Sequence, residues 1–293
     1  MNTVSLTSLD LGVAALLLVG LALTSWRLAL GLEGRIFIAA LRTVLQLLLI
    51  GLVLKALFAH VDLLWLMLIA LVMLAAAGRE VVARQKYRLE GGWAFFVGSG
   101  AMFVSSFSVA LLALTVVIRA DPWYAPRYAI PLLGMLLGNT MNGIALAMNH
   151  LNGQVWQGRE MIEQRLMLGQ TRGEAIADLR RESMRTGMIP IMNAMAAAGI
   201  VSLPGMMTGQ ILAGAPPTEA VRYQILIMFL ITAGTGFGTI TAIAFTTRHL
   251  FDARHRLRIE RLQAISSSTG PWRKGRAGSG IWRPGRDRGV RPR

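Results

Sequence analysis

The side chains in this chain able to act on a solute are amides and thioethers set within long apolar sequence. Asn139 and Asn142 stand three residues apart, so a helix puts them on one face, with Thr140, Met135 and Met141 beside them. Asn193 ends the stretch Arg185–Asn193, and Pro204, Gly205, Met206, Met207 and Gln210 crowd into Ser-Leu-Pro-Gly-Met-Met-Thr-Gly-Gln at 202–210. Amides donate and accept hydrogen bonds, and a thioether is a weak acceptor. What such groups offer at membrane depth is a polar strip along a solute or ion path, or hydrogen bonds that hold helices together. Both uses fit Asn139 and Asn142. Pro204 removes a backbone donor and clashes with the preceding turn, while Gly205 loosens the chain beside it. Non-helical backbone at membrane depth occurs where it lines a cavity or is buried in protein. Pro204–Gln210 is therefore predicted as a gate or binding element, or as a kink that fits neighbouring helices.

Catalytic residues are not expected. The chain has no G-x-x-x-x-G-K-[S/T] stretch, no G-x-S-x-G and no H-E-x-x-H. With no cysteine, disulfides and thiolate metal sites are excluded. His60, His150, His249 and His255 lie at predicted membrane borders or near the C-terminus, with no helical ligand pair inside the bilayer. Met206 and Met207, with Met141, Met192 and Met195, can present thioethers to a soft metal or simply fill apolar space. Ligand residues for a metal stay unassigned, and no cofactor is expected. Arg42 and Gln46 share a face one turn apart, near enough to a predicted helix end for Arg42 to snorkel or to line a transport path. Acidic residues are almost absent from the apolar blocks, and Asp10 and Asp62 sit at block edges. Such a chain has little means of coupling to protons, so its energy is expected from a partner.

Apolar blocks must position these residues. Of the 293 residues, 54% are hydrophobic, and the mean hydropathy is +0.52. About 20 apolar residues cross a bilayer core as a helix, and backbone in lipid must bond internally. Seven blocks qualify: Leu9–Trp26, Ile36–Ala59, Val61–Ala77, Trp93–Ile118, Tyr128–Met148, Met188–Ala213 and Val221–Thr246. The fold class is therefore all-α, a polytopic membrane protein of about seven transmembrane helices. The first block lacks a basic leader and a small-residue cleavage site, so it reads as a retained helix. Arginine and lysine concentrate in alternate loops, which predicts an N-terminus outside and a C-terminus in the cytoplasm. Gly134 and Gly138, and Gly234 and Gly238, form small-xxx-small faces suited to close helix approach.

The net charge of +15 is unevenly spread. Residues 248–293 hold 13 Arg or Lys against 3 acids, and the stretch from Ser266 is rich in Gly, Pro, Ser and Arg. Residues 263–293 are predicted as a disordered basic tail. An arm for RNA or anionic headgroups is the sharper reading of that tail; for the chain as a whole a lipid partner and no nucleic acid are expected.

Between the fifth and sixth blocks lies a charged, helix-prone segment, 149–187, longer than most helix–helix connections. It is predicted to dock a soluble partner in the cytoplasm. Glu160–Gly169 favours a helix ended by Gly169, with Met161, Ile162, Leu166 and Leu168 against membrane or partner and Glu163 and Arg165 toward solvent. The order Glu163-x5-Gly169 resembles the coupling motif of ABC importer permeases, where glutamate and glycine bracket a short helix in the ATPase groove. Gln164 and Arg165 replace the motif's two alanines, and Pro190 comes later than the usual proline.

Leu133–Gly143, Leu168-Gly169, Arg185–Asn193, Val201–Ala213 and Glu219–Ile231 together resemble the FetB family of ABC transporter permeases, over about Leu9–Leu262. That family comprises bacterial iron-export subunits and plant relatives linked to aluminium tolerance. The resemblance implies a permease domain at 1–262, including the 149–187 coupling segment, in the inner (plasma) membrane. It implies a separate ATP-binding subunit, a second permease copy and a metal ion, iron favoured, as exported substrate. Coupling then falls to Glu163, Arg165, Leu168 and Gly169. The pathway or gate falls to Asn139, Asn142, Asn193, Pro204, Gly205, Met206, Met207 and Gln210. A partner-independent channel or secondary carrier is the alternative, and a membrane scaffold with a recruiting tail is a third.

Overall fold

A computed structural model describes residues 7–59 and 62–264. His60 and the tail beyond Ala264, with Trp272 and Trp282, lie outside the described residues. Helices dominate: α1 (Ser8–Arg27), α2 (Glu33–Ala59), α3 (Leu63–Ala83), α4 (Trp93–Met102) and α5 (Ser108–Leu112) come first. Then follow α6 (Pro126–Gln157), α7 (Arg159–Met167), α8 (Arg172–Ala175), α9 (Ala177–Ala197), α10 (Gly205–Leu212) and α11 (Pro217–Leu250). The side-chain chemistry accounts for several ends. Thr7 and Asp10 form a capping box on α1, the Asp62 carboxylate accepts from the Leu64 N–H on α3, and prolines at the first turns of α6 and α11 waste no donor.

Six stretches of the described residues are long and apolar enough to cross a membrane: Leu9–Arg27, Glu33–Lys55, Leu63–Ala83, Glu90–Ile118, Pro126–Gln157 and Pro217–Leu250. The fourth is one path built from α4, α5 and two π-helical turns, Phe103–Phe107 and Ala113–Ile118. The predicted sixth block, Met188–Ala213, is the exception. It is shared between the end of α9 and the short α10, so no single helix carries it.

That interruption begins earlier than the sequence implied. Helix α9 stops at Ala197, Gly199 takes φ +82°, and the amides of Val201 and Ser202 both turn back to the Ala197 carbonyl, at 3.0 and 3.1 Å. Pro204 does not kink a running helix. It caps α10, its carbonyl accepting from the Thr208 N–H at 3.1 Å. Pro190, by contrast, lies inside α9 without ending it.

The packing centre is α6, flanked by α3, α9 and α11. Where it crosses α9 and α11, Gly143 and Gly187 face each other and Thr235 and Thr239 close over them. One step along α11, a Cβ on Gly238 would lie 2.5 Å from Thr140 Cγ2 and 2.8 Å from Ser105 Oγ, so the second small-residue face does serve close approach. Two apolar cores lie along this bundle. One joins Val81, Met148, Leu151, Val155, Ile162, Ile176 and Leu250; the other joins Leu66, Leu114, Leu133, Leu136, Ile191 and Ile227.

Two short strands accompany the helices, Tyr87–Leu89 (β1) and Leu262–Ala264 (β2), paired antiparallel with Leu89 opposite Leu262. Strand β2 ends at Ala264, the last of the described residues. Asn152 Nδ2 donates to the Tyr87 carbonyl at 3.0 Å and the Lys86 N–H donates to Asn149 Oδ1 at 2.8 Å, pinning this ribbon to the end of α6.

Candidate functional site

The segment 149–187 is largely the continuation of its neighbours. Helix α6 runs on to Gln157 and α9 starts at Ala177, so only α7 and α8 form the elbow between them. Ile162, Ala175 and Ile176 are fully buried in the first core and anchor both short helices. Arg165, expected toward solvent, is half-buried: its guanidinium donates to the Ala175 carbonyl at 3.0 Å and lies 3.7 Å from Asp178. It ties α7 to α8 and α9. The restart after the turn is a capping box in which the Thr171 N–H and hydroxyl both donate to Glu174 at 2.8 Å. The Thr171 amide first, and its hydroxyl second, hold the Glu174 carboxyl below the usual carboxylate range.

The elbow's tip is apolar and uncovered. Met167 is 79% and Leu168 84% exposed, and Gly169 turns the chain at φ +90° with open space around it. Glu163 is exposed one turn before. The tip thus pairs two exposed apolar side chains with a short helix anchored by the buried Ile162.

The predicted pathway residues do not meet at one point. Asn139 turns its amide back on its own helix, to the Met135 carbonyl at 2.8 Å. Asn142 accepts from Arg84 of α3. Asn193 is exposed on α9, Met206 is partly buried against the second core, and Met207 is buried. Gln210 Oε1 is buried without a partner, and Gly205 opens α10 with space around it. Among the described residues no hydrogen bond links Asn139 or Asn142 to Asn193 or Gln210. The methionines are dispersed too: Met141 packs against the first core, while Met195 accepts from the Thr232 hydroxyl at 2.9 Å. No group of three or more His, Asp or Glu gathers among the described residues.

Sequence reasoning missed a charged cluster between α2, α3 and α6. Helix α3 runs past Ala77 to Ala83, which brings Glu80 inside a spanning helix. Arg42 lies 3.4 Å from Glu80 Oε2, Arg84 lies 3.4 Å from Glu80 Oε1, and Arg84 reaches on to Asn142. They border a cavity of about 850 Å³ whose wall also includes Arg35, Gly134 and Gly138. The first small-residue face thus lines a cavity, where close helix approach was expected; a Cβ on Gly138 would meet nothing within 4 Å. The i,i+4 spacing of Glu80 and Arg84 was the available signal, hidden by ending the block at Ala77. Within this extension Gly78 lets α4 approach: a Cβ there would collide with Ser99 Oγ.

These features define a polytopic helical membrane protein with an exposed apolar elbow between α6 and α9 and a break between α9 and α10. Residues 8–251 match the uncharacterised protein family UPF0014, and the chain belongs to that family. A UPF0014 membrane protein of Synechocystis is 41% identical over 254 residues, 85% of this chain and 95% of that protein. The protein named "Probable iron export permease protein FetB" of Escherichia coli is 32% identical, over 90% of this chain and 99% of its own length. Protein ALUMINUM SENSITIVE 3 of Arabidopsis thaliana is 31% identical, covering 78% of this chain and 82% of its own. No solved structure matches the chain.

Proposed function

We propose that this chain is the permease subunit of an ABC-type metal exporter, with iron as favoured substrate and ATP hydrolysis on a separate cytoplasmic subunit. One observation carries the reading: the rigid elbow offers an uncovered apolar tip, Met167-Leu168, ended by the left-handed Gly169. A groove on the ATP-binding subunit receives that tip, with Glu163 and Arg165 setting its charge and angle. The FetB relative, named as a probable iron export permease, supports the substrate class.

The proposed transmission is mechanical. Elbow and interrupted span share one helix, since α9 runs from Ala177 beside the elbow to Ala197 at the break. Movement of the tip tilts α9 against its glycine crossing on α6. The break at 198–204 then takes up the change, shifting Pro204, Gly205, Met206, Met207 and Gln210 relative to Asn139, Asn142 and Asn193. A second permease copy covers the exposed face that carries Asn193. The elbow lies in the cytoplasm, the N-terminus outside, and the host membrane is the inner (plasma) membrane.

Reconstitution tests the assignment. The chain with its ATP-binding subunit in liposomes should move Fe²⁺ only with ATP, and the chain alone should not. Nucleotide-independent flux from the chain alone would establish the channel or secondary-carrier reading instead.

A further inference from the structure

The cavity between α2, α3 and α6 carries a charge pattern at odds with a bare cation. Arg35, Arg42 and Arg84 line it against the single carboxylate of Glu80, leaving two positive charges in excess. That carboxylate is already shared, with Arg42 at 3.4 Å on one oxygen and Arg84 at 3.4 Å on the other. Guanidinium capacity remains: Arg42 and Arg84 both line this space, and their side chains are 57% and 46% exposed. Arg35 has no carboxylate within 4.0 Å among the described residues. Charges on spanning helices are costly to leave unmatched.

The spacing is ordered. Arg35, Arg42 and Gln46 fall at i, i+7 and i+11, one stripe of α2, and Glu80 and Arg84 are one turn apart on α3. From this polar end the cavity continues between small or apolar groups, Ala76, Ala77, Gly134 and Gly138 among them. The glycines leave the room. Beyond α1, helix α2 meets the bundle chiefly at its C-terminal end, where Val53, Leu54 and Leu57 join the second core, so the space lies where the spanning helices are loosely joined. An anionic head against guanidiniums and an apolar chain along small residues match the two ends.

We propose that this cavity is a binding site for one anionic phospholipid, its phosphate held by Arg35, Arg42 and Arg84 and one acyl chain laid along the α3–α6 wall. Guanidinium forks bind phosphate oxygens bidentately, and basic pockets between spanning helices take anionic headgroups. The apolar half of the cavity favours a lipid over a soluble anion of the same head chemistry. The site is independent of the export reading, because it requires neither nucleotide nor metal.

The test uses the purified full chain in detergent, delipidated and titrated with phosphatidylglycerol, phosphatidylcholine or inorganic phosphate, with bound lipid counted by native mass spectrometry. We expect about one phosphatidylglycerol per chain, at least tenfold preferred over phosphatidylcholine and not displaced by millimolar phosphate. Arg42→Gln should weaken it about tenfold and Arg42→Lys less. Glu80→Gln should tighten it several-fold, a direction that a damaged fold would not give. Equal retention of the two lipids, indifference to Arg42→Gln, or weakening by Glu80→Gln overturns the proposal. Displacement by phosphate alone overturns the lipid assignment in favour of a soluble anion.

Discussion

Gly143 and Gly187 meet backbone to backbone where α6 crosses α9: a Cβ on Gly187 would lie 2.7 Å from the Gly143 carbonyl oxygen and 2.9 Å from the Ala147 Cβ. Neither contact is the end of a flexible side chain, so no rotamer relieves it. Small residues permit such crossings in lipid, where apolar burial between helices contributes little.

Gly187→Ala should therefore lower stability by about 1–3 kcal/mol, the usual range for overpacking. In detergent this reads as a fall in melting temperature. Gly205→Ala is the control, because its Cβ meets nothing within 4 Å. Equal losses for the two variants would refute the crossing as a packing constraint.

At the elbow, Gly169 combines open space with φ +90°. Gly169→Ala should strain the turn by about 1–2 kcal/mol, the penalty for a left-handed non-glycine residue. Gly169→Pro cannot adopt that φ at all. Membrane insertion should persist in both. Co-purification of the ATP-binding subunit should fall several-fold with alanine and vanish with proline. Full co-purification with Gly169→Pro would remove the elbow from the coupling role.

How much of this was legible in sequence depends on the distance over which each feature is determined. The apolar blocks follow from composition over about 20 residues, and six of them fall on described stretches long and apolar enough to cross a membrane. The sixth block was flagged at Pro204, yet the break starts at Ala198, because a proline between two helices caps the second as readily as it kinks one. Gly169 as terminator was readable, since a helix followed by glycine and then a threonine cap is local chemistry. Glu80 was not, because its partner Arg42 is remote in sequence, as is the Asn142 amide that its neighbour Arg84 reaches, and only the fold unites them. The tie from Arg165 to the Ala175 carbonyl was hidden likewise: local pattern puts an arginine outside unless a buried carbonyl waits for it.

Acid should loosen the elbow. The Thr171 amide and hydroxyl hold the Glu174 carboxyl below its ordinary value of 4.5. A depressed folded value means the contribution is complete above about pH 5 and is lost as pH falls from about 4.5 through the lowered value. Asp252, held down chiefly by the Arg256 N–H, changes in the same direction. Amide exchange over 171–176 should therefore quicken, relative to the intrinsic rate, between pH 5 and 3. Thr171→Ala should show the faster exchange already at pH 7 and little further change on acidification. A wild-type profile flat across that window would count against the capping box.

Orientation is the remaining prediction, and the chain is suited to testing it because it contains no cysteine. Leu168 is 84% exposed at the elbow, and Trp123 is 41% exposed in the loop before α6. An odd number of crossings separates them, since α6 alone runs from one to the other end of the bundle. Single replacements Leu168→Cys and Trp123→Cys should therefore react oppositely with a membrane-impermeant maleimide. In intact cells the cysteine at 123 should label and the one at 168 should not; after permeabilisation both should. The positive charge around the elbow, with Arg159, Arg165, Arg172 and Arg180 nearby, favours the cytoplasmic side for it. Labelling at 168 in intact cells would place the Met167-Leu168 tip where no ATP-binding subunit can reach it, and the coupling mechanism would fail with it.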